Sequence, residues 1–280
     1  MRAIFIIGCP RSGTTLLQSL LACVPGSTTF KESHLFSRSL AHIAGITVVR
    51  RNVNAEISRF REQNQLPTDA PQDRAGALAR MVPAKAADAA MRALIAGAEA
   101  RDCDLFLEKT PRHLHFVDSI AAAGARCSVE TRFIHLIRDG VAVAASLNNA
   151  SQHWSKTYSA VDALTRWQKD IDLSVRYLSH PRHSFVAYER LAERPEEESL
   201  RLASELGVSL TIEDLAGRAS KLTNIVRSDE SWKAVDNGTK IAVSQRAFGH
   251  LDAATLATLE HRIDRSSYAR IVARTAESAA

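Results

Sequence analysis

The chain has 280 residues, of which 45% are hydrophobic and 24% are charged, a composition typical of a soluble globular protein with a large core. Its formal net charge of +5 is either an ordinary excess of basic surface residues or a feature that attracts an anionic ligand. The sequence has no long basic run interleaved with aromatic residues, which argues against a nucleic-acid partner. No apolar run reaches the roughly 18 residues that span a bilayer, and the four cysteines have neither metal-ligand nor redox-motif spacing, so we expect a cytoplasmic protein with free thiols and no membrane anchor.

The first predicted element is a buried strand that leads into an anion-binding turn. Residues 3–7 form a continuous apolar run, which is typical of a strand buried on both faces of a parallel sheet. A turn containing Gly8, Pro10 and Gly13 follows, and leucines at helical spacing predict a helix from Thr14 onwards. Because the first N–H groups of a helix have no partner inside it, they favour a phosphate or sulfate in the turn.

The turn differs from an ATP-binding loop in the position of its cation. The ATP-binding pattern G-x-x-x-x-G-K-[ST] has a lysine directly after the second glycine, where this chain has Thr14, and the cation lies instead at Arg11. A planar guanidinium suits a single tetrahedral oxyanion, and the missing lysine disfavours ATP hydrolysis and kinase chemistry. The candidate anion-binding residues of the turn are Arg11, Ser12, Gly13, Thr14 and Thr15.

A resemblance to a known family is carried by the six residues Pro10-Arg11-Ser12-Gly13-Thr14-Thr15. They resemble the 5′-phosphosulfate loop of the sulfotransferases that use 3′-phosphoadenosine 5′-phosphosulfate (PAPS), in the branch of the tyrosylprotein and many bacterial sulfotransferases, which carry arginine in this loop. In that branch a glutamate follows the second strand, 21 residues after the loop arginine, and Glu32 lies 21 residues after Arg11. The resemblance implies that Glu32 is the general base. His34 is an alternative base, since imidazole titrates near neutral pH.

The segment after the first helix is less regular. Residues 28–30 predict a short second strand, and residues 33–44 predict a helix capped by Ser33. Residues 74–101 are rich in alanine and predict one or two further helices. The resemblance implies that residues 40–105 are a helical insertion that covers the acceptor site, within a single sulfotransferase-like domain over residues 1–280.

Residues 104–108 predict another buried strand, with Lys109 at its carboxyl end. Ligands of open α/β sheets lie beyond the carboxyl ends of the strands. The step Lys109-Thr110-Pro111 resembles a family motif whose lysine faces the transferring sulfuryl group, which implies that Lys109 stabilises charge there. The nearby pair His113 and His115 has no cysteine or carboxylate partner at ligand spacing, so no metal is expected.

The second strong landmark is a core strand over residues 132–137 that ends at Arg138. Asp139-Gly140 turns the chain into a predicted helix that contains Ser146. Arg138 and Ser146 are eight residues apart, the spacing of the pair that binds the 3′-phosphate in the family, and the resemblance implies the same role here. An arginine fork and a helix hydroxyl are physically suitable ligands for a phosphate.

The last third of the chain adds a strand over residues 184–188 and several helices, and then becomes polar. In the family a late basic loop with a tryptophan folds over the 3′-phosphate and the adenine. The resemblance implies that Arg227 and Trp232 do so here, the alternative being an ordinary surface loop.

Strands that alternate with helices predict an α/β fold of the P-loop type, with a doubly wound parallel sheet and helices on both faces. The function expected from the resemblance is transfer of a sulfuryl group from PAPS to a hydroxyl or amine of a small-molecule, lipid, glycan or peptide acceptor, without a metal. The alternatives are an atypical P-loop kinase or NTPase and a non-catalytic nucleotide-binding protein. The acceptor and the oligomeric state have no signature in the sequence.

Overall fold

The structure is a computed structural model that describes residues 1–67, 79, 81–152, 157–225 and 248–277. Five parallel strands form a central sheet, and an antiparallel hairpin supplies two more strands. In chain order the strands are β1 (Arg2–Gly8), β2 (Ser27–Thr29), β3 (Leu40–Ile43), β4 (Ile46–Val49), β5 (Leu105–Lys109), β6 (Glu130–Ile137) and β7 (His183–Ala187). The central sheet has the order β2-β5-β1-β6-β7. From β1 the chain first adds β2 and β5 on one side, and later adds β6 and β7 on the other. The direction of the strand order thus reverses beside β1, and α/β folds bind ligands in the crevice that such a reversal leaves at the carboxyl ends of the strands.

Helices cover the sheet on both faces, so the predicted doubly wound α/β architecture is confirmed. In chain order the described helices are α1 (Thr14–Leu21), α2 (Leu35–Ser39), α3 (Val53–Asn64), α4 (Pro83–Glu99), α5 (Val117–Arg126), α6 (Gly140–Ser151), α7 (Ala160–Val175), α8 (Tyr188–Glu193), α9 (Pro195–Leu206), α10 (Ile212–Leu215), α11 (Arg218–Ile225), α12 (Ala253–Arg262) and α13 (Ser266–Glu277), and a 3₁₀ helix spans Pro111–Phe116. None of the described helices is long and apolar enough to cross a membrane.

The β1 strand is buried because both of its faces are apolar. Phe5 belongs to one core, beneath helices α4 and α5, where its ring contacts those of Phe106 and Phe133. Ile4 and Ile6 belong to a second core with the leucines of α1 and α9. The continuous apolar run of β1 thus joins two cores, and it fixes the position of the turn that follows.

The predicted helix over residues 33–44 is wrong beyond Ser39, where α2 ends and the β3–β4 hairpin follows. The hairpin forms because Ala44 and Gly45 both adopt left-handed backbone, with φ of 49° and 80°. Two such residues reverse the chain in a tight turn, and β3 then pairs with β4 from Leu40 opposite Val49. The strand pairing takes the place of the predicted helix over residues 40–44.

Helix α3 was not predicted, although its sequence carries an amphipathic signal. Val53, Ile57 and Phe60 recur at helical spacing and are buried together. The Asn52 side chain accepts a hydrogen bond from the Asn54 N–H at the start of the helix, as an N-cap residue does. In contrast, α4 lies within the alanine-rich segment where a helix was expected, and it begins at Pro83.

Candidate functional site

The turn between β1 and α1 is held tightly between β6 and Tyr188. Gly8 has a φ of 146°, and a Cβ there would lie 2.3 Å from the carbonyl oxygen of Leu136. Gly13 is the N-cap of α1 with a φ of 97°, and a Cβ there would lie 2.3 Å from a ring carbon of Tyr188. Both positions therefore require glycine for conformation and for space. The turn is fixed where the N-terminus of α1 meets the sheet edge.

The structure brings three predicted anion-binding residues together beside this turn. The Nε atom of Arg11 donates a hydrogen bond to the Ser146 hydroxyl at 3.2 Å. The Arg138 Nη1 atom donates to the Arg11 carbonyl oxygen at 3.3 Å. Arg11 has a φ of 74°, an unusual backbone conformation for an arginine, and such residues recur at ligand-binding sites. Two guanidinium groups and one hydroxyl thus share a single crevice.

Arg138 is held by its surroundings from two sides. Its guanidinium carbon lies 4.2 Å from the centroid of the Tyr188 ring, a cation–π distance. Its carbonyl oxygen accepts a hydrogen bond from the buried Trp167 indole at 2.9 Å. Only 7% of Arg138 is exposed, so packing and these two contacts hold its side chain in place.

Hydrogen bonds from Arg265 and Tyr268 stabilise the backbone next to Arg138. The Asp139 carboxylate caps α6 by accepting from the Val141 N–H at 3.0 Å, and its other oxygen accepts from Arg265 Nε at 3.0 Å. The Asp139 N–H donates to Glu189 at 3.0 Å, and Glu189 also accepts from the Tyr268 hydroxyl at 3.0 Å. Burial and the neighbouring Glu189 carboxylate raise the pKa of Tyr268. These hydrogen bonds were not predicted, because no local pattern in the sequence links residues so far apart.

Glu32 and Lys109, which the resemblance assigned to catalysis, form an ion pair. Lys109 is 2% exposed, and its Nζ atom also donates to the Thr15 hydroxyl in the first turn of α1 at 3.4 Å. The other oxygen of Glu32 lies 3.3 Å from Nε2 of His34. Glu32 therefore lies between His34 and the lysine, and the lysine links Glu32 to the first turn of α1.

The remaining predicted residues differ in how far the structure describes them. Ser12 is fully buried, and within the described residues its hydroxyl has no hydrogen-bond partner. Thr14 is buried at the start of α1. Arg227 and Trp232 lie outside the described residues. Among the residues described, no group of three or more histidine, cysteine or acidic side chains is arranged to hold a metal.

Glu108 is a polar residue of this edge that was given no role from the sequence. Its carboxylate is fully buried and accepts hydrogen bonds from Ser33, Thr110 and His113. Burial raises the pKa of Glu108, but the charge of His113 and the three hydrogen bonds outweigh burial and leave the pKa of Glu108 below its usual value. The signal that could have identified Glu108 is its acidic side chain at the end of an apolar strand.

The chain is similar to known proteins over most of its length. The sequence model described as "Sulfotransferase family" matches residues 3–212, whereas no curated protein sequence matches the chain. The sulfotransferase domain of the Synechococcus PCC 7002 olefin synthase is 21% identical, with a TM-score of 0.57 over 100% of this chain and 93% of that chain. The sulfotransferase domain from the curacin biosynthetic pathway is 16% identical, with a TM-score of 0.51 over 99% of this chain and 98% of that chain. Mouse sulfotransferase SULT7A1, complexed with PAP, is 12% identical, with a TM-score of 0.56 over 99% of this chain and 89% of that chain.

Proposed function

The chain belongs to the sulfotransferase family, and we propose that PAPS is its sulfuryl donor and that transfer takes place beside Lys109. PAPS supplies the sulfuryl group and leaves as 3′-phosphoadenosine 5′-phosphate (PAP). Three cationic side chains, those of Arg11, Lys109 and Arg138, lie at the carboxyl edge of the sheet with the N-terminus of α1. This set of groups fits a nucleotide with anionic groups at two positions. The PAP complex of a mouse sulfotransferase of the same fold supports the choice of donor.

On the donor side, the first amides of α1, with Arg11, Thr14 and Thr15, bind the 5′-phosphosulfate and stabilise the charge that develops on the leaving phosphate oxygen. Arg138 and Ser146 bind the 3′-phosphate. Because Arg11 donates a hydrogen bond to Ser146 at 3.2 Å, the residues that bind the 5′-phosphosulfate lie next to those that bind the 3′-phosphate. One nucleotide can therefore contact both sets of residues. The preorganised Arg138 fork favours a bidentate contact with a phosphate.

On the acceptor side, the Glu32 carboxylate takes the proton from the acceptor hydroxyl or amine as that group attacks sulfur. His34 lies 3.3 Å from Glu32 and can orient the carboxylate or pass the proton on. Lys109 stabilises negative charge on the transferring group. The observation that carries the proposal is the position of Lys109, because this one buried cation contacts both Glu32 and Thr15 and so joins the acceptor side to the donor side.

The hairpin β3–β4, with α3 and α4, is our proposed cover of the acceptor site. His42 of the hairpin stacks on Phe116 at 4.9 Å between ring centroids, and its Nε2 atom lies 2.7 Å from the His115 carbonyl oxygen. Both contacts are with the 3₁₀ helix that follows Lys109. Changes in the hairpin are therefore expected to alter acceptor choice and leave donor binding unchanged.

The direct test is transfer of label from ³⁵S-PAPS to a panel of phenols, alcohols, amines, lipids, glycans and peptides. We expect label in at least one acceptor class, and we expect Glu32→Gln to lower kcat by about 10²- to 10⁴-fold with PAP affinity unchanged. Glu130→Gln is the matched control, because Glu130 is exposed at the opposite end of the sheet. Unchanged kcat in Glu32→Gln would exclude Glu32 as the base, and PAP binding without transfer to any acceptor would favour a nucleotide-binding protein without catalysis.

A further inference from the structure

Glu108 lies in a buried hydrogen-bond network next to Lys109, one of the residues assigned to catalysis. One oxygen of its carboxylate accepts from the Ser33 hydroxyl at 2.8 Å and from the Thr110 hydroxyl at 2.6 Å. The other oxygen accepts from His113 Nδ1 at 2.8 Å. All three partners are at most 2% exposed, so solvent cannot replace these bonds. Within the described residues the second ring nitrogen of His113 has no hydrogen-bond partner, so the ring is held by its hydrogen bond with Glu108 and by packing against the Phe36 ring.

The network connects two chain segments that both carry proposed catalytic residues. Ser33 lies between Glu32 and His34, and its N–H also points to Glu108, at 3.4 Å. The Thr110 hydroxyl accepts from the His34 N–H at 3.3 Å. Glu108 and Thr110 flank Lys109 in sequence. A single buried carboxylate therefore ties the backbone that carries the base to the backbone that carries the cation.

Buried carboxylates of this kind are energetically demanding. Removal of a charge from water is unfavourable unless hydrogen bonds and an opposite charge compensate, and a neutral apolar residue would fill the same space without that demand. The Glu108 carboxylate accepts hydrogen bonds from Ser33, Thr110 and His113, and its bonds to Ser33 and Thr110 join the two segments described above. A carboxylate at this position holds several donors at once, which an apolar residue cannot do.

We propose that Glu108 is a positioning residue that sets the distance between Glu32 and Lys109 through the hydroxyls of Ser33 and Thr110. The proposal rests on the proposed function, since it assumes that the Glu32–Lys109 pair is the site of transfer. Glu108 itself contacts neither reactant. A misplacement of about 1 Å at such a pair lowers turnover by roughly 10²-fold, so loosening one hydroxyl contact is expected to reduce kcat and leave donor affinity unchanged.

The test compares Thr110→Val with Thr110→Ser. Valine has the shape of threonine and lacks the hydroxyl, whereas serine keeps the hydroxyl that bridges Glu108 to the His34 N–H. We expect Thr110→Val to lower kcat for ³⁵S-PAPS turnover, with water as acceptor where no other is known, by about 10- to 100-fold. Thr110→Ser is expected to retain wild-type kcat within about threefold, and both variants are expected to bind PAP with wild-type affinity by calorimetry.

Ser199→Ala is the control for loss of a buried hydroxyl, because Ser199 lies in α9 and donates to the Pro195 carbonyl oxygen, outside the network. It is expected to keep wild-type turnover. An activity-independent readout is the ring nitrogen signal of His34 by NMR, which is expected to shift in Thr110→Val and to remain unchanged in Ser199→Ala. Equal kcat in Thr110→Val and wild type, or an unchanged His34 signal, would overturn the proposal.

Measurements of PAP affinity distinguish a positioning role for Glu108 from general damage to the site. Loss of PAP affinity in parallel with kcat in Thr110→Val would show general disruption of the site and would also overturn the proposal. Failure of the wild-type protein to bind PAP would contradict the proposed function instead. If Thr110→Val does not fold, Ser33→Ala removes the other hydroxyl contact of Glu108, and unchanged kcat in that variant would overturn the proposal as well.

Discussion

Gly13→Ala should destabilise the fold for two separable reasons. The first is conformational, because the φ of 97° at Gly13 is unfavourable for an L-residue by roughly 1–2 kcal/mol. The second is steric, because the new Cβ would lie 2.3 Å and 2.7 Å from two ring carbons of Tyr188, and overpacking of this kind costs about 1–3 kcal/mol. The free energy of unfolding should therefore fall by roughly 2–5 kcal/mol in total.

The two contributions can be measured by urea unfolding of a double-mutant cycle. Tyr188→Ala removes the ring, so Gly13→Ala introduced into the Tyr188→Ala variant should cost only its conformational part, and the coupling energy should be about 1–3 kcal/mol. Gly26→Ala is the control for conformation alone, since Gly26 has a φ of 69° and no atom within 4 Å of an added Cβ. A Gly13→Ala cost that is the same with and without the Tyr188 ring would refute the tight packing of the turn against Tyr188.

Three further predictions concern charge and hydrogen bonding. Lys109→Met should reduce kcat by at least about 10²-fold, because it removes the buried cation beside the transferring group. PAP affinity measured by calorimetry should stay within tenfold of the wild-type value, and full activity in this variant would exclude Lys109 from the mechanism. Ser146→Ala should weaken PAP binding by roughly tenfold, which is the contribution of one hydrogen bond to a charged group, and should leave 5′-AMP affinity unchanged. An equal loss of affinity for both nucleotides would contradict the role of Ser146 at the 3′-phosphate. Burial, with the neighbouring His183, lowers the pKa of His135 well below its usual value, and burial lowers the pKa of His183 to about 3. Because the folded-state pKa values of both histidines lie below the unfolded value near 6.5, their contribution to the free energy of unfolding should be constant above pH 6.5 and should fall by about 1 kcal/mol per pH unit or more below it. Equal urea midpoints at pH 7.5 and pH 5 would refute this.

The parallel sheet and the glycine-containing turn after β1 were predictable because local patterns specify them. The apolar run of residues 3–7 has no polar face, a pattern that indicates a strand covered on both sides, and all five residues are buried. Glycines at positions 8 and 13 mark the turn, and the structure shows that both are required there. The apolar run over residues 132–137 likewise placed Arg138 at the carboxyl end of a strand, where it meets Arg11.

The segment that follows β2 was less predictable because its structure depends on contacts between distant residues. Leu40 lies in a strand because it pairs with Val49, although the sequence around it is also compatible with a helix. The Glu108 network has the same origin, since Ser33 comes from a segment 75 residues away. No periodic pattern reports such a contact. The roles of Arg227 and Trp232 stay predictions.

Measurement of PAP and 5′-AMP affinities by calorimetry tests the central claim most directly. If Arg138 and Ser146 bind the 3′-phosphate beside the turn that carries Arg11, PAP should bind at least roughly tenfold more tightly than 5′-AMP, as one or more charge-assisted hydrogen bonds require. Arg138→Met should reduce that difference, and the Arg138→Met and Ser146→Ala substitutions together should abolish it. Equal affinity of the wild-type protein for the two nucleotides, or a preference for PAP that survives both substitutions together, would contradict the assignment of the site.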